Sequence, residues 1–242
     1  MNRILTNDKI LFTTTCVCIF IGLMTGCEKD NTKTILQTTP VVTKSFVEEF
    51  DSVANLSAKG WVIKNNSFPF GPTAWRQGKY ELGGKLGNTV VGFPAYSAVY
   101  NQNEFISVDL NAGSGAAQIS CWLITPPIPM KNGDEISFFT RSHGDFADRM
   151  QVRGNFTTAS ANVGNAPADL GDFTSLLLDI NPALTKTDYP IEWTKYSIPI
   201  SGFPVNGLVS VRIGFRYYIP NGGPNGTDSD MIGIDKFEFV SK

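Results

Sequence analysis

The chain has 242 residues, a formal net charge of −2 and 17% charged residues. With 20 Lys and Arg against 22 Asp and Glu, its charge balance argues against a nucleic-acid partner and against a basic membrane-binding face. The 23 Gly, 14 Pro and 12% aromatic residues are typical of an all-β protein with many turns, and the length suits one large β domain.

The first 26 residues have the pattern of a signal peptide. Arg3 and Lys9 precede an apolar run over residues 10–23, which is too short to span a membrane comfortably. Met24-Thr25-Gly26-Cys27 resembles a bacterial lipobox, and this resemblance implies cleavage before Cys27 and its acylation. The alternative is an ordinary signal peptide that is cut at a small residue. The lipobox resemblance implies that residues 27–44 comprise a lipidated Cys27 and a polar, flexible tether.

The first predicted strand of the domain, within residues 45–51, places a carboxylate between two aromatic rings. Phe46, Glu48 and Phe50 share one face of this strand because side chains alternate with a period of two. If that face is buried, Glu48 needs a cation or a hydrogen-bonding partner. The alternative is an edge strand on which Glu48 is solvated.

The central segment of the chain is an apolar strand that stops at a Pro-Pro pair. Trp122, Leu123 and Ile124 are consecutive, which predicts a strand covered on both faces. Proline has no N–H to donate, so the strand must end near Thr125. Cys121 has no other cysteine after the tether to pair with, and we expect a small buried hydrophobe there rather than a reactive thiol.

The remaining segments predict ten to twelve short strands that are separated by turns, without a long amphipathic helix. This pattern predicts an all-β fold, an antiparallel two-sheet β-sandwich of the jelly-roll type spanning residues 45–242. Residues 155–172 are rich in Ala, Asn, Gly and Thr and predict a long surface loop, the kind that often carries function. Residues 225–230 hold several oxygen donors but lack EF-hand spacing, which predicts a solvated turn.

The single histidine offers little for catalysis. Ser142-His143-Gly144-Asp145 permits a Ser-His-Asp arrangement, but no Gly-x-Ser-x-Gly elbow accompanies it, and we expect a solvated loop histidine. One histidine also excludes a histidine-rich metal site. We therefore expect a protein that is not an enzyme. A glycosidase with a carboxylate pair stays open, because its two acids can lie far apart in the chain.

Several motifs resemble bacterial choice-of-anchor J domains. They are residues 46–51, Gly60-Trp61, residues 75–78, residues 122–126, residues 139–141, residues 148–153, residues 171–174, residues 177–182, residues 221–224 and residues 232–235. Together they cover nearly everything after the tether, and Cys121 departs from the pattern because a polar residue is expected there. The family is similar to cleaved adhesin and MAM-type domains. The resemblance implies a jelly-roll sandwich at the cell surface, often adhesive, and related sandwiches commonly hold a calcium ion between the first strand and the last.

Calcium needs six to eight oxygen ligands as a rule, and three acidic residues are the candidates. Glu48 lies on the first strand and Asp235 on the last, and Asp109 lies in a strand that is otherwise apolar. A closed sandwich brings its terminal strands together, so Glu48 and Asp235 can meet. A structural calcium ion is therefore the one cofactor that we consider.

Aromatic rings are the candidates for glycan binding, because ring faces stack on sugars. The candidate ligand-binding residues are Trp75, Tyr80, Tyr217 and Tyr218. The alternative is that most of these rings belong to the core, since aromatic side chains carry much of the burial in sandwiches.

The sequence favours a lipid-anchored binding module of the bacterial cell envelope, attached to the outer membrane through Cys27 and exposed at the surface. We expect an adhesin-like or carbohydrate-binding role with an extracellular glycan or protein as ligand. The competing expectation is a structural or assembly domain that binds a protein partner in the envelope. A glycan-acting enzyme is the third hypothesis.

The anchor can be tested by replacing one thiol. Several acyl chains bury many CH₂ groups at about 0.8 kcal/mol each, so we expect Cys27→Ser to move the protein from the membrane fraction to the soluble fraction. Cell fractionation and immunoblotting measure the change, with Cys18→Ser as the control that stays in the membrane fraction. A Cys27→Ser protein that stays membrane-bound contradicts the anchor.

Overall fold

The computed structural model describes residues 44–80, 85–86, 90–203 and 207–242. The predicted signal peptide, Cys27 and all but the last residue of the predicted tether lie outside the described residues. Within the described part of the chain, no helix has the length and apolar character needed to cross a membrane.

Strands and turns alternate along the described chain. The strands are β1 (Phe46–Glu48), β2 (Val62–Asn65), β3 (Phe68–Phe70), β4 (Arg76–Gln77), β5 (Lys85–Leu86), β6 (Val90–Val91), β7 (Ile106–Asp109), β8 (Gly113–Ile124), β9 (Ile128–Met130), β10 (Glu135–Ser142), β11 (Met150–Asn155), β12 (Ser175–Ile180), β13 (Thr194–Pro199), β14 (Val209–Gly222) and β15 (Met231–Val240). Three short 3₁₀ turns, Val53–Asn55, Ser57–Lys59 and Leu110–Ala112, are the helical elements of these residues. The all-β prediction is confirmed.

The strands form two antiparallel sheets. The front sheet has the order β12-β11-β14-β8-β2, with β3 also paired to β8 and β9 to β14. The back sheet has the order β13-β10-β15-β7-β4, with β1 also paired to β15. β5 and β6 pair with each other. The first strand of the domain thus meets the last, as a closed sandwich requires.

The core lies between the two sheets. Its buried side chains include Ile106, Val108, Ile136, Phe138, Phe237 and Phe239 from the back sheet and Cys121, Leu123, Val152, Phe215, Tyr217 and Ile219 from the front sheet. Cys121 is fully buried and free, and burial raises the pKa of its thiol to about 12. It therefore behaves as a small hydrophobe, as predicted.

The central strand β8 is covered on both faces. Cys121 and Leu123 face the back sheet, whereas Trp122 and Ile124 face outward and pack with Val163 and Phe173. Both partners belong to the segment of residues 156–174, which we call the cover loop. β8 ends at Ile124, one residue before Thr125, in agreement with the prediction. The cover loop gives the sandwich a third layer over part of the front sheet.

Removing the Trp122 ring tests this packing. The side chain is fully buried and its ring centroid lies 5.6 Å from that of Phe173. We expect Trp122→Ala to lower the free energy of unfolding by about 3–5 kcal/mol, measured by urea denaturation. Tyr100→Ala, at a residue that is 86% exposed, is the control and should change it by about 0.5 kcal/mol or less. Equal, small effects of both changes contradict the core role of Trp122.

Candidate functional site

The carboxylate of Glu48 is buried and already neutralised by the chain. Lys59 Nζ lies 2.9 Å from Oε1 and 2.8 Å from Oε2, and the N–H of Phe50 donates to Oε1 at 3.3 Å. The prediction that a buried Glu48 needs a cation or a hydrogen-bonding partner is thus confirmed, and the cation is the Lys59 ammonium. A metal ion that binds Glu48 must compete with the Lys59 ammonium.

The other two acidic candidates also have partners within the chain. Asp109 accepts hydrogen bonds from Arg76 Nη2 at 2.5 Å and from the N–H of Asn111 at 3.0 Å. Asp235 accepts the N–H groups of Tyr96 at 2.9 Å, Ser97 at 3.0 Å and Lys236 at 2.7 Å. Burial nevertheless raises the pKa of the Asp235 carboxyl to about 7, because desolvation outweighs these donors.

The structure does not bring the three acidic candidates into one site. Along β15, Asp109 lies opposite Met231 and Glu48 lies opposite Phe237. Six residues of extended strand separate those positions by about 20 Å. Asp235 lies between them, where β15 passes from its pairing with β7 to its pairing with β1. Calcium binding by these residues stays a prediction, and their present contacts fix loops and strands.

Two of the four candidate aromatic rings lie in the buried structure. Trp75 is buried and donates from Nε1 to the carbonyl of Cys121 at 3.1 Å. Tyr217 is fully buried, and its hydroxyl donates to Asp148 Oδ1 at 2.6 Å. Neither ring has a face open to solvent. Tyr80 is half-buried, with its N–H bonded to Asn103 Oδ1 at 2.5 Å.

Tyr218 is the candidate ring that the structure places on the outer face of the front sheet. Arg216 lies over this ring at 3.9 Å from the centroid, and Arg149 lies at 5.6 Å. The Tyr218 hydroxyl accepts a hydrogen bond from Gln118 Nε2 at 2.7 Å. Because the Arg216 guanidinium lies over the ring, that face of Tyr218 is not free to stack on a sugar.

An open groove lies beside Tyr218, with a volume of about 310 Å³. Its polar lining comes from Gln118 on β8, Asn221 on β14, and Asn225 and Thr227 in the following turn. The backbone of this turn is fixed, since the carbonyl of Asn221 accepts the N–H groups of Thr227 at 3.0 Å and Asp228 at 3.1 Å. The groove is therefore formed by the chain itself.

An exposed aromatic ring lies next to the groove. Phe68 on β3 pairs directly with Gln118 on β8, so their side chains lie on the same face of the sheet. Phe68 is 71% exposed, and Phe70 on the same short strand is 65% exposed. We call the groove and this ring together the Phe68 groove. Neither Phe68 nor Phe70 is among the predicted ligand-binding residues, although the Phe-Pro-Phe pattern is a signal for them.

The cover loop is fixed to the front sheet by a buried guanidinium. Arg216 donates from Nε to Ser120 Oγ at 3.0 Å, from Nη1 to Gln151 Oε1 at 3.3 Å and from Nη2 to the carbonyl of Pro167. It also lies over the Trp122 ring at 5.1 Å. Desolvation lowers the pKa of Arg216 to about 10, so it stays charged at neutral pH. One side chain thus joins three strands and the cover loop.

No family model matches the sequence, and no curated protein matches it. The resemblance to choice-of-anchor J domains therefore stays a prediction.

Solved structures similar to this chain include two cleaved adhesin domains and a CBM6. The K1 cleaved adhesin domain of Lys-gingipain from Porphyromonas gingivalis is 15% identical, covering 82% of this chain and 99% of its own, with a TM-score of 0.48. The K2 domain of Lys-gingipain is 13% identical, covering 81% and 99%, with a TM-score of 0.49. The C-terminal CBM6 of a marine laminarinase from Zobellia galactanivorans is 11% identical, covering 82% and 100%, with a TM-score of 0.35. The identities and the TM-scores are low, so these structures carry no argument about the function of this chain.

The role of Arg216 can be tested with a conservative change. A lysine keeps the charge but cannot donate to Ser120, Gln151 and Pro167 together or stack flat on Trp122. We expect Arg216→Lys to lower the free energy of unfolding by about 2 kcal/mol and to speed proteolysis within the cover loop. Limited proteolysis with mass spectrometry locates the cuts.

The control for this change is Arg141→Lys on β10 of the back sheet. Arg141 contacts the exposed Glu192 at 3.5 Å and makes no contact with the cover loop in the described structure. Cleavage of the cover loop at the wild-type rate in Arg216→Lys would mean that Arg216 does not hold it.

Proposed function

We propose that this chain is a non-catalytic carbohydrate-binding module that holds a glycan in the Phe68 groove. The observation that carries the proposal is an exposed aromatic ring beside a preformed groove that is partly lined by amide and hydroxyl groups. A sugar ring has an apolar C–H face and an edge of hydroxyl groups. Phe68 offers a surface for the face, and the groove offers hydrogen-bonding groups for the edge.

The chemistry of the groove favours a neutral glycan. Its amide side chains, from Gln118, Asn221 and Asn225, each supply both donors and acceptors, and the hydroxyl of Thr227 supplies both as well. Sugar hydroxyl groups need that combination. No charged residue lines the groove among the described residues, so an acidic polysaccharide finds no cationic partner within it. The open shape suits a segment of a longer chain.

The cellular setting of this proposal comes from the sequence pattern of residues 1–44. A lipid anchor at Cys27 and a flexible tether would place the domain at the outer membrane with its loops exposed. The protein would then act by adhesion to, or capture of, an extracellular glycan. An assembly role with a protein partner in the envelope is the competing function, and the same experiment distinguishes the two.

Removing one exposed ring tests the proposed function. Affinity electrophoresis against a panel of neutral polysaccharides identifies a ligand, and isothermal calorimetry measures its affinity. We expect Phe68→Ala to weaken binding about tenfold or more, which corresponds to about 1.4 kcal/mol, because the stacking surface is lost. The unfolding midpoint should not change, since Phe68 is 71% exposed.

Tyr100→Ala is the matched control, because it removes another exposed ring, 86% exposed, from a loop away from the groove. It should leave the affinity unchanged. Binding lost in Tyr100→Ala and kept in Phe68→Ala would place the site elsewhere. Absence of any retained polysaccharide, together with a stoichiometric protein partner from the envelope, would support the assembly role instead.

A further inference from the structure

The register of two strands brings a histidine and two aspartates together outside the groove. Ser142 at the end of β10 pairs with Ile232 near the start of β15. The residues beyond each end, His143 and Asp230, are therefore neighbours. His143 Nδ1 lies 3.3 Å from Asp230 Oδ2 and 3.3 Å from Asp145 Oδ2, and the three donor atoms lie within 4.8 Å of one another.

Two buried polar atoms in this region make no hydrogen bond. His143 Nδ1 is buried and makes no hydrogen bond, although two carboxylate oxygens lie near it. Asp148 lies behind Asp230 and is fully buried, with its Oδ1 accepting the N–H of Asp230 at 3.0 Å. Its Oδ2 is buried without any hydrogen bond. A buried polar atom without a hydrogen bond costs about 1–3 kcal/mol, and a bound metal ion would give His143 Nδ1 a partner.

The charge at this cluster is also unbalanced. Asp145, Asp148 and Asp230 are three acidic groups close together, and Asp228 lies near enough to act on Asp148. In the part of the chain that the structure describes, none of the first three forms an ion pair with Lys or Arg, and His143 is the one basic group in contact. Buried charges in proteins are paired or coordinate metal ions, and a bound cation would neutralise part of this acidic group.

We propose that His143, Asp145 and Asp230 form a zinc site, with Nδ1 and one oxygen of each carboxylate as ligands. Tetrahedral zinc holds nitrogen and oxygen ligands at about 2.0–2.2 Å, which sets neighbouring ligand atoms about 3.3–3.5 Å apart. Both distances from His143 Nδ1 fit that spacing. An imidazole ligand favours zinc over calcium, which takes oxygen ligands.

The position of the site indicates a structural role. Asp145 and His143 lie in the loop after β10, and Asp230 ends the turn after β14 that also lines the Phe68 groove. A zinc ion here ties the two loops together. Asp145 is 68% exposed, which leaves the fourth coordination position open to water.

Zinc titration of the full chain tests the site. The protein is stripped with chelator and its accessible thiols are alkylated, a step that spares the buried Cys121. We expect one zinc ion per chain by calorimetry and elemental analysis. At zinc concentrations of about 100 times Kd, the unfolding midpoint should rise by about 5–10 °C. His143→Gln and Asp145→Asn should each weaken zinc binding at least tenfold.

Asp145→Asn keeps the test independent of folding, because that side chain is largely exposed, and the exposed Asp188→Asn is the matched control. Zinc affinity unchanged in both His143→Gln and Asp145→Asn would overturn the site, as would the absence of saturable zinc binding. Stabilisation by Ca²⁺ and not by Zn²⁺ would overturn the assignment of the metal. A midpoint that depends on the protonation of His143 and not on zinc would show a simple ion pair.

Discussion

The fold depends on the fact that the end of the central strand β8, from Cys121 to Ile124, is apolar on both faces. Cys121 and Leu123 fill the space between the sheets, so Trp122 and Ile124 necessarily face outward. Leaving them in water would forfeit several kcal/mol of burial, and the cover loop prevents this. Because the cover loop and Arg216 occupy the middle of the outer face, the open surface lies at the end of the front sheet, where β3 pairs with β8.

Buried carboxylates also organise the structure, because their oxygens accept hydrogen bonds from backbone N–H groups in loops. Glu104 is buried and accepts the N–H groups of Val99, Tyr100 and Asn101. Asp235 fixes the start of the same loop through Tyr96 and Ser97. Each acceptor satisfies donors that no strand partner reaches. An acidic residue in an apolar strand thus indicates a buried acceptor for loop N–H groups as much as a metal ligand.

The sequence was sufficient for the fold because strand patterns and turn residues are local signals. The end of β8 before Thr125 and the need of Glu48 for a partner follow from single-residue chemistry. Local patterns do not show which aromatic rings are exposed. Alternation shows which residues share a face, but only the packing of the two sheets decides which face is buried, as at Tyr217. The pairing of Phe68 with Gln118 and the meeting of His143 with Asp230 join distant segments, and no local pattern reports them.

The turn between β14 and β15 connects the Phe68 groove with the cluster of His143, Asp145 and Asp230. Its groove side is held by the carbonyl of Asn221, and its other end is held by Asp148, which accepts the N–H of Asp230. Ser229 joins these two halves, since its hydroxyl accepts the N–H of Gly223 at 3.0 Å and its own N–H donates to Ala147 at 2.9 Å. Its φ of 80° is strained for a residue other than glycine, and such strain persists only where surrounding contacts impose it. The groove side has its own backbone hydrogen bonds, and Ser229 links it to the segment that ends at Asp230.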